Sequence, residues 1–338
     1  MNKKLLQTAL LGKTAAEFSA TDVNKNAIEE ILAECGLKSD MNVRKILTHK
    51  SEIFAIISEV IDEILPKDVQ NIMGAYAEVK NFKRDDEVVF QLKTGYKRAK
   101  LSIVKGARGG VYKAARIDNK LMDLDVDTWT VGVYVTLEDI ILGNVTLGEL
   151  YSNLLAGFEE KIYEETVVAL RTAATVAPGS HHISAAGVAD DNLDKLIRIA
   201  KAYGDNVVIV GFQSAIAKIN NVVTLTDTEH KLPNEDLTDI RNTGFVKLYK
   251  GTPIIELQNF ILTDGATANF AFREGDIFIL PGASKPVKVA FKGDSYMVDE
   301  KLPGGAEQWN EHKMAGVGLL LADDVCILTD TGITGGEY

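Results

Sequence analysis

Apolar residues near the start of the chain recur at helical spacing. Ile46, Ile53, Ile56, Ile57, Val60, Ile61 and Ile64 line one face, which predicts the second of two helices within residues 1–65, behind an extended arm and ended by Pro66. From Val88 the period becomes two. Val88, Phe90 and Leu92 alternate with Val89, Gln91 and Lys93, and alternation returns at Leu101, Ile103 and Trp129–Val135, the pattern of strands with two unlike faces. Gly95, Gly106, Gly109 and Gly110 fall between them, where a hairpin that bends tightly needs residues tolerant of positive φ.

A long helix follows. Thr146 and Glu149 form a capping box, and Leu147, Leu150, Leu154, Phe158, Ile162, Ala169 and Ala173 keep helical steps until Pro178 and Gly179. Thirty-odd residues make a rod of about 45 Å, too long for the inside of a small domain, so it is expected to run as a strut with one face on a sheet. Residues 190–328 read as mixed α and β. Helices are expected at Leu193–Tyr203, from Phe212 to Ile219, and from Pro233 to Ile240 with closure at Gly244. Strands are expected at Val207–Val210, Phe245–Tyr249, Ile254–Leu257, Ile277–Leu280, Val287–Phe291 and Val325–Leu328.

Charge changes this picture most at the hairpin. Lys93, Lys97, Arg98, Lys100, Lys105, Arg108, Lys113 and Arg116 lie in a window without Asp or Glu, worth +8 on a chain of formal net charge −11, which leaves −19 for everything else. A cationic arm on an anionic body points to an anionic partner, and another copy of the same chain supplies one. Positive charge also keeps an exposed hairpin edge from pairing indiscriminately. The sequence pI near 5.1 argues against a dedicated nucleic-acid binder. With 46% hydrophobic and 25% charged residues in 338, the chain has the composition of a globular protein and the length to form more than one lobe. No apolar run approaches the roughly 20 residues that cross a bilayer, so the chain reads as soluble and without membrane partners. Lys3 and Lys4 before Leu5 and Leu6 loosely resemble a signal peptide, but Gln7 and Thr8 interrupt the apolar run.

Candidate chemistry is sparse. Cys35 and Cys326 have no C-x-x-C spacing and read as ordinary thiols in a reducing compartment. Gly12-Lys13-Thr14 imitates the end of a phosphate loop, but Gln7 stands where its first Gly belongs. Asp123, Asp125 and Asp127 begin like a calcium loop, yet Thr128 replaces the Gly and Tyr134 the terminal Glu, so the acids read as the solvent face of a strand. His181 and His182 lack further ligands at metal spacing and read as a solvated loop. Val207–Val210 followed by Gly211 lacks the G-x-G-x-x-G of a dinucleotide site. A structural role is favoured over catalysis, with no cofactor.

The order of parts, arm, cationic hairpin, strut helix and α+β lobe, resembles the major capsid protein of tailed bacteriophages, a fold shared with encapsulins and herpesvirus shells. Local wording resembles it too: Leu237-Thr238-Asp239-Ile240-Arg241-Asn242-Thr243-Gly244 leading to Tyr249-Lys250-Gly251-Thr252-Pro253-Ile254-Ile255-Glu256, and Glu307–Leu321 before the strand Val325–Leu328. The resemblance implies the α+β, Hong Kong 97-like fold. Residues 1–65 would be the N-terminal arm and helices, 82–127 the extended loop, 66–81 and 128–189 the peripheral domain with spine helix 146–176, 190–310 the axial domain, and 311–338 returning C-terminal strands. It further implies a non-enzymatic protein whose copies, as hexamers and pentamers, form an icosahedral head around double-stranded DNA, without sequence-specific binding. The eight basic residues would make contacts between subunits. The implied partners are a scaffolding protein, a portal and a decoration protein, and the implied location is the virion, assembled in the cytoplasm of a bacterial host. The alternatives are an encapsulin-type compartment and, behind it, an α/β enzyme without a recognisable motif. In some relatives a loop lysine forms an isopeptide bond; no lysine here matches that role, and no cross-link is expected.

Overall fold

The computed structural model describes residues 50–93, 119–135, 147–225, 240, 242–259, 261–263, 269–282, 285–301, 307–320 and 324–333. Its first element is helix α1, Lys50–Met73. Ile57, Ile61, Leu65, Val69 and Met73 recur every fourth residue and are all buried, the stripe expected of a helix lying on a core. The helix was expected to end at Pro66 but runs seven residues past it, to Met73, and is followed by Gly74, whose N–H donates to the Gln70 carbonyl at 2.8 Å. Proline inside a helix costs about 3 kcal/mol, and burying Val69 and Met73 returns a comparable amount at roughly 1.5–3 kcal/mol each.

Four strands form the sheet beneath this helix: β1 (Ala77–Phe82), β4 (Asp127–Val135), β12 (Val287–Lys301) and β13 (Glu307–Leu319), in the order β1-β12-β13-β4. β1 runs parallel to β12, and the other pairs are antiparallel. Helix α2, Leu147–Val176, is the expected strut at 30 residues. Leu150, Leu154, Phe158, Ile162, Leu170 and Ala173 are buried along one side of it, in one core with α1 and the sheet residues Trp309, Ala315, Val287 and Val289. Val287–Lys301 and Glu307–Leu319 are thus hydrogen-bonded into the sheet that also holds Asp127–Val135.

The second sheet has six strands in the order β5-β14-β11-β6-β8-β7: β5 (His182–Ala185), β6 (Val207–Phe212), β7 (Leu248–Tyr249), β8 (Thr252–Leu257), β11 (Asp276–Pro281) and β14 (Cys326–Asp330). β6, β11 and β14 are buried at every position, because both faces are covered. Helices α3 (Asp190–Tyr203) and α4 (Gln213–Leu225) pack on one face through Leu193, Leu196, Ala215 and Ile216. Val208, Val210, Phe278 and Ile327 on the other face join the core of the first sheet. The far end of α2 is tied there by Arg171, 3.2 Å from the buried Asp276 carboxylate. Short strands β9 (Ile261–Thr263) and β10 (Asn269–Phe270) pair separately.

Lys250 and Gly251 form a two-residue turn, while Thr252 and Pro253 already belong to β8 and the strand expected over Phe245–Tyr249 is confined to Leu248–Tyr249. Both turn residues have positive φ, 46° and 77°, as a two-residue hairpin loop requires, and Tyr249 faces Thr252 across it. The histidine pair is not a solvated loop. His181 is buried edge-on against Tyr203 at 5.4 Å, and His182 opens β5, because Ile183 and its neighbours pair in parallel with β14. The expected strand at Leu101 and Ile103 and most of the helix from Pro233 lie outside the described residues.

Candidate assembly interface

The basic window springs from a two-stranded ladder. β2 (Val89–Lys93) pairs antiparallel with β3 (Asn119–Asp123), from Val89 opposite Asp123 to Lys93 opposite Asn119. Lys93 and Asn119, which flank residues 94–118 in the chain, are thus direct neighbours. Alternation in β2 works as the pattern predicts: Val88 and Phe90 are buried, while Gln91 is exposed. An isolated two-stranded ladder is marginal in water, and this one is anchored through Phe90. The ring sits in a small cluster with Val88, Ala290 and Leu320 and meets Phe82 edge-on at 5.8 Å.

Charge surrounds that anchor. Lys80 Nζ lies 4.9 Å and Lys288 Nζ 5.8 Å from the centre of the Phe90 ring, within cation–π range. Both amines donate to Glu78, Lys80 at 2.8 Å. Burial pushes the Glu78 carboxyl up, but the two lysines prevail and hold it below its ordinary range. The link between β3 and β4 is pressed onto β13. Leu124 N–H donates to the Val88 carbonyl at 3.0 Å, and any side chain at Gly316 would put its Cβ 2.3 Å from the Asp125 carbonyl oxygen. Asp123, Asp125 and Asp127 are exposed, as expected, but they bracket this link instead of sharing one strand.

Of the eight basic residues, Lys93 closes β2, and Lys97, Arg98, Lys100, Lys105, Arg108, Lys113 and Arg116 lie outside the described residues. Glu149 stands exposed in the first turn of α2, and its capping-box partner Thr146 also lies outside them. No group of three metal-ligating side chains occurs among the described residues. The Cys326 thiol is buried, and burial pushes its pKa up to about 12, the character of a structural cysteine.

A buried ionic cluster joins α1 to the β12–β13 hairpin. Lys313, 4% exposed, donates to Asp62 at 2.6 Å and to the Gly293 carbonyl at 2.6 Å. Asp62 also accepts the Ser295 N–H at 2.9 Å, and the Ser295 hydroxyl donates to the Ser58 carbonyl at 3.0 Å. Glu311 is fully buried beside them. Ser58 Oγ donates to one of its oxygens at 3.1 Å, and the other has no partner. Burial drives this carboxyl up to about 7, with Asp62 adding to the rise, while the Ser58 and Ser295 hydroxyls and Lys313 oppose it. Sequence reasoning passed over the cluster. Its signal is the alternation Trp309, Glu311, Lys313, Ala315, which puts both charges on the side of β13 that faces the helices.

A family model described as "SPbeta prophage-derived putative capsid protein YonB" matches residues 3–313. The chain belongs to this phage capsid protein family. It is a major capsid protein, structural and not enzymatic, and its mixed helix-and-sheet architecture is the Hong Kong 97-like capsid fold. Among solved structures, the satellite phage P4 procapsid including size determination (Sid) protein matches this family member with a TM-score of 0.50 at 10% identity, over 82% of this chain and 92% of that one. The bacteriophage PhiM1 mature capsid follows with 0.49 at 12%, over 77% and 87%. The SrpI encapsulin of Synechococcus elongatus PCC 7942 gives 0.44 at 11%, over 76% and 87%. No curated protein matches the sequence significantly. No helix among the described residues is long and apolar enough to cross a membrane.

Proposed function

We propose that many copies of this capsid protein, arranged as hexamers and pentamers, close into the icosahedral head of a tailed bacteriophage around double-stranded DNA. In this reading each copy reaches an adjacent one through the basic segment Lys93–Arg116. One observation supports it: Lys93 and Asn119 are paired, and the stretch from Lys93 to Arg116 carries +8 on a chain whose remainder sums to −19. A loop of residues 94–118 closed at its base extends at most about 40 Å, far enough to cross onto a neighbour. Opposite charge then steers the contact and fixes its register. Each such contact is heterologous, so the copies close by symmetry instead of pairing off.

On this account α2 is the spine helix. The four-stranded sheet with α1 and α2 forms the peripheral domain, and the six-stranded sheet with α3 and α4 forms the axial domain around capsomer centres. A strongly negative wall does not adhere to a polyanionic genome, so DNA is enclosed without sequence-specific contacts. A separate scaffolding protein, a portal and a decoration protein complete the virion, which is assembled in the host cytoplasm.

Reversing Lys97, Arg98 and Lys100 to Glu takes the segment from +8 to +2. The expected outcome is a folded subunit, judged by circular dichroism, that no longer sediments as particles. Particles at wild-type yield from this triple variant would contradict the electrostatic contact.

A further inference from the structure

On the side of the four-stranded sheet facing away from α1 and α2, nine residues form one block in register. Tyr296, His312 and Thr130 stand side by side, then Val298, Asn310 and Gly132, then Glu300, Gln308 and Tyr134. Their polar groups partner one another. Thr130 Oγ1 is 2.7 Å from His312 Nδ1, the Tyr296 ring stacks on His312 at 4.9 Å and 25°, and Gln308 Nε2 donates to Asn310 Oδ1 at 2.8 Å. Those two amides lie over Gly132, where a Cβ would fall 2.5 and 2.8 Å from them. The result is a level floor with three apolar projections: Tyr134 is 62% exposed, Tyr296 51% and Val298 42%.

We infer that this face is a contact surface for a second copy of the chain, an inference that rests on the shell-forming reading above. Identical chains of net charge −11 repel where ionised faces meet, so faces that touch must be either complementary in charge, like the basic segment, or nearly free of it. Glu300 is the one carboxylate in this block, and the block has no lysine or arginine. Tyrosine supplies large contact area at low conformational cost. Side chains already held by one another lose little further freedom on docking. Size points the same way. Nine residues fall short of the roughly 20–30 per side of a self-sufficient interface, so the block serves as one patch of a larger contact between copies, not as the seat of a separate partner.

Hydroxyl-radical footprinting of the full-length protein tests this. Oxidation of Tyr134 and Tyr296 is compared between assembled particles and free subunits, with Val298→Asp and Val298→Thr variants assayed beside them. Expected are at least fivefold protection of both tyrosines in particles, at least tenfold fewer particles from Val298→Asp with unchanged melting of its subunits, and normal assembly of Val298→Thr. Particles whose tyrosines oxidise as in free subunits, or become protected only when a different protein is added, overturn the inference while leaving shell assembly intact. Wild-type protein that forms no particles contradicts the shell reading and this inference with it.

Discussion

Glu311→Gln removes one negative charge from the seam between α1 and the β12–β13 hairpin without removing the acceptor that Ser58 Oγ uses. Lys313 is the one cation in the cluster, and it is committed to Asp62 and the Gly293 carbonyl, so ionised Glu311 is a second carboxylate without a cation of its own. Its carboxyl is raised from 4.5 to about 7. At 1.36 kcal/mol per pH unit, that difference corresponds to about 3 kcal/mol. The sign follows from proton binding. Between pH 4.5 and 7 the folded state holds the proton and the unfolded state does not, so this contribution is fully present below pH 4.5 and is lost as pH rises through 7. Glutamine is neutral throughout. It gains up to about 3 kcal/mol over wild type at pH 8.5, reduced to about 1–2 if its amide N–H is left unpartnered, and gains nothing at pH 4.5. Urea unfolding of unassembled subunits, followed by circular dichroism across this range, measures both curves. Parallel curves for wild type and variant would refute the assignment of a destabilising charge to Glu311.

Two further perturbations address the root of the basic segment. Phe90→Ala empties the anchor of the ladder, a loss of about 3–5 kcal/mol for a buried aromatic. Because the cluster is small, the expected readout is local: faster amide exchange in Val89–Lys93 and Asn119–Asp123, with α2 unaffected. Gly316→Val drives a Cβ into the Asp125 carbonyl and should lift the β3–β4 link, lowering stability by about 1–3 kcal/mol; an unchanged melting temperature would show that the close approach is not needed.

Periodicity made the long elements legible. The strut helix was expected over Thr146–Val176 and observed over Leu147–Val176, because its apolar steps are unbroken for eight turns and proline and glycine close them. The buried strands β6, β11 and β14 were legible for the same reason: each satisfies a local rule. What was missed depends on pairing over long distances. Pro66 reads as a stop because a window of sequence does not contain the sheet that Val69 and Met73 bury against. His181 reads as solvated until β5 is seen to pair with β14, about 145 residues away. The partner that β12 takes in β1 likewise stands about 210 residues earlier in the chain. The charge asymmetry of the basic window was plain from composition. Its anchor was only half visible: the alternation marked Phe90 as inward-facing, but nothing local connects it with Glu78, Lys80 and Lys288.

The central claim is that the basic segment of one copy meets an acidic surface of another. Zero-length carbodiimide coupling of particles assembled from a mixture of unlabelled and nitrogen-15 protein, analysed by mass spectrometry, tests it most directly. The account predicts links between Lys97 or Lys100 of one copy and Asp or Glu side chains of a differently labelled copy. Links from these lysines found only within single chains would contradict it.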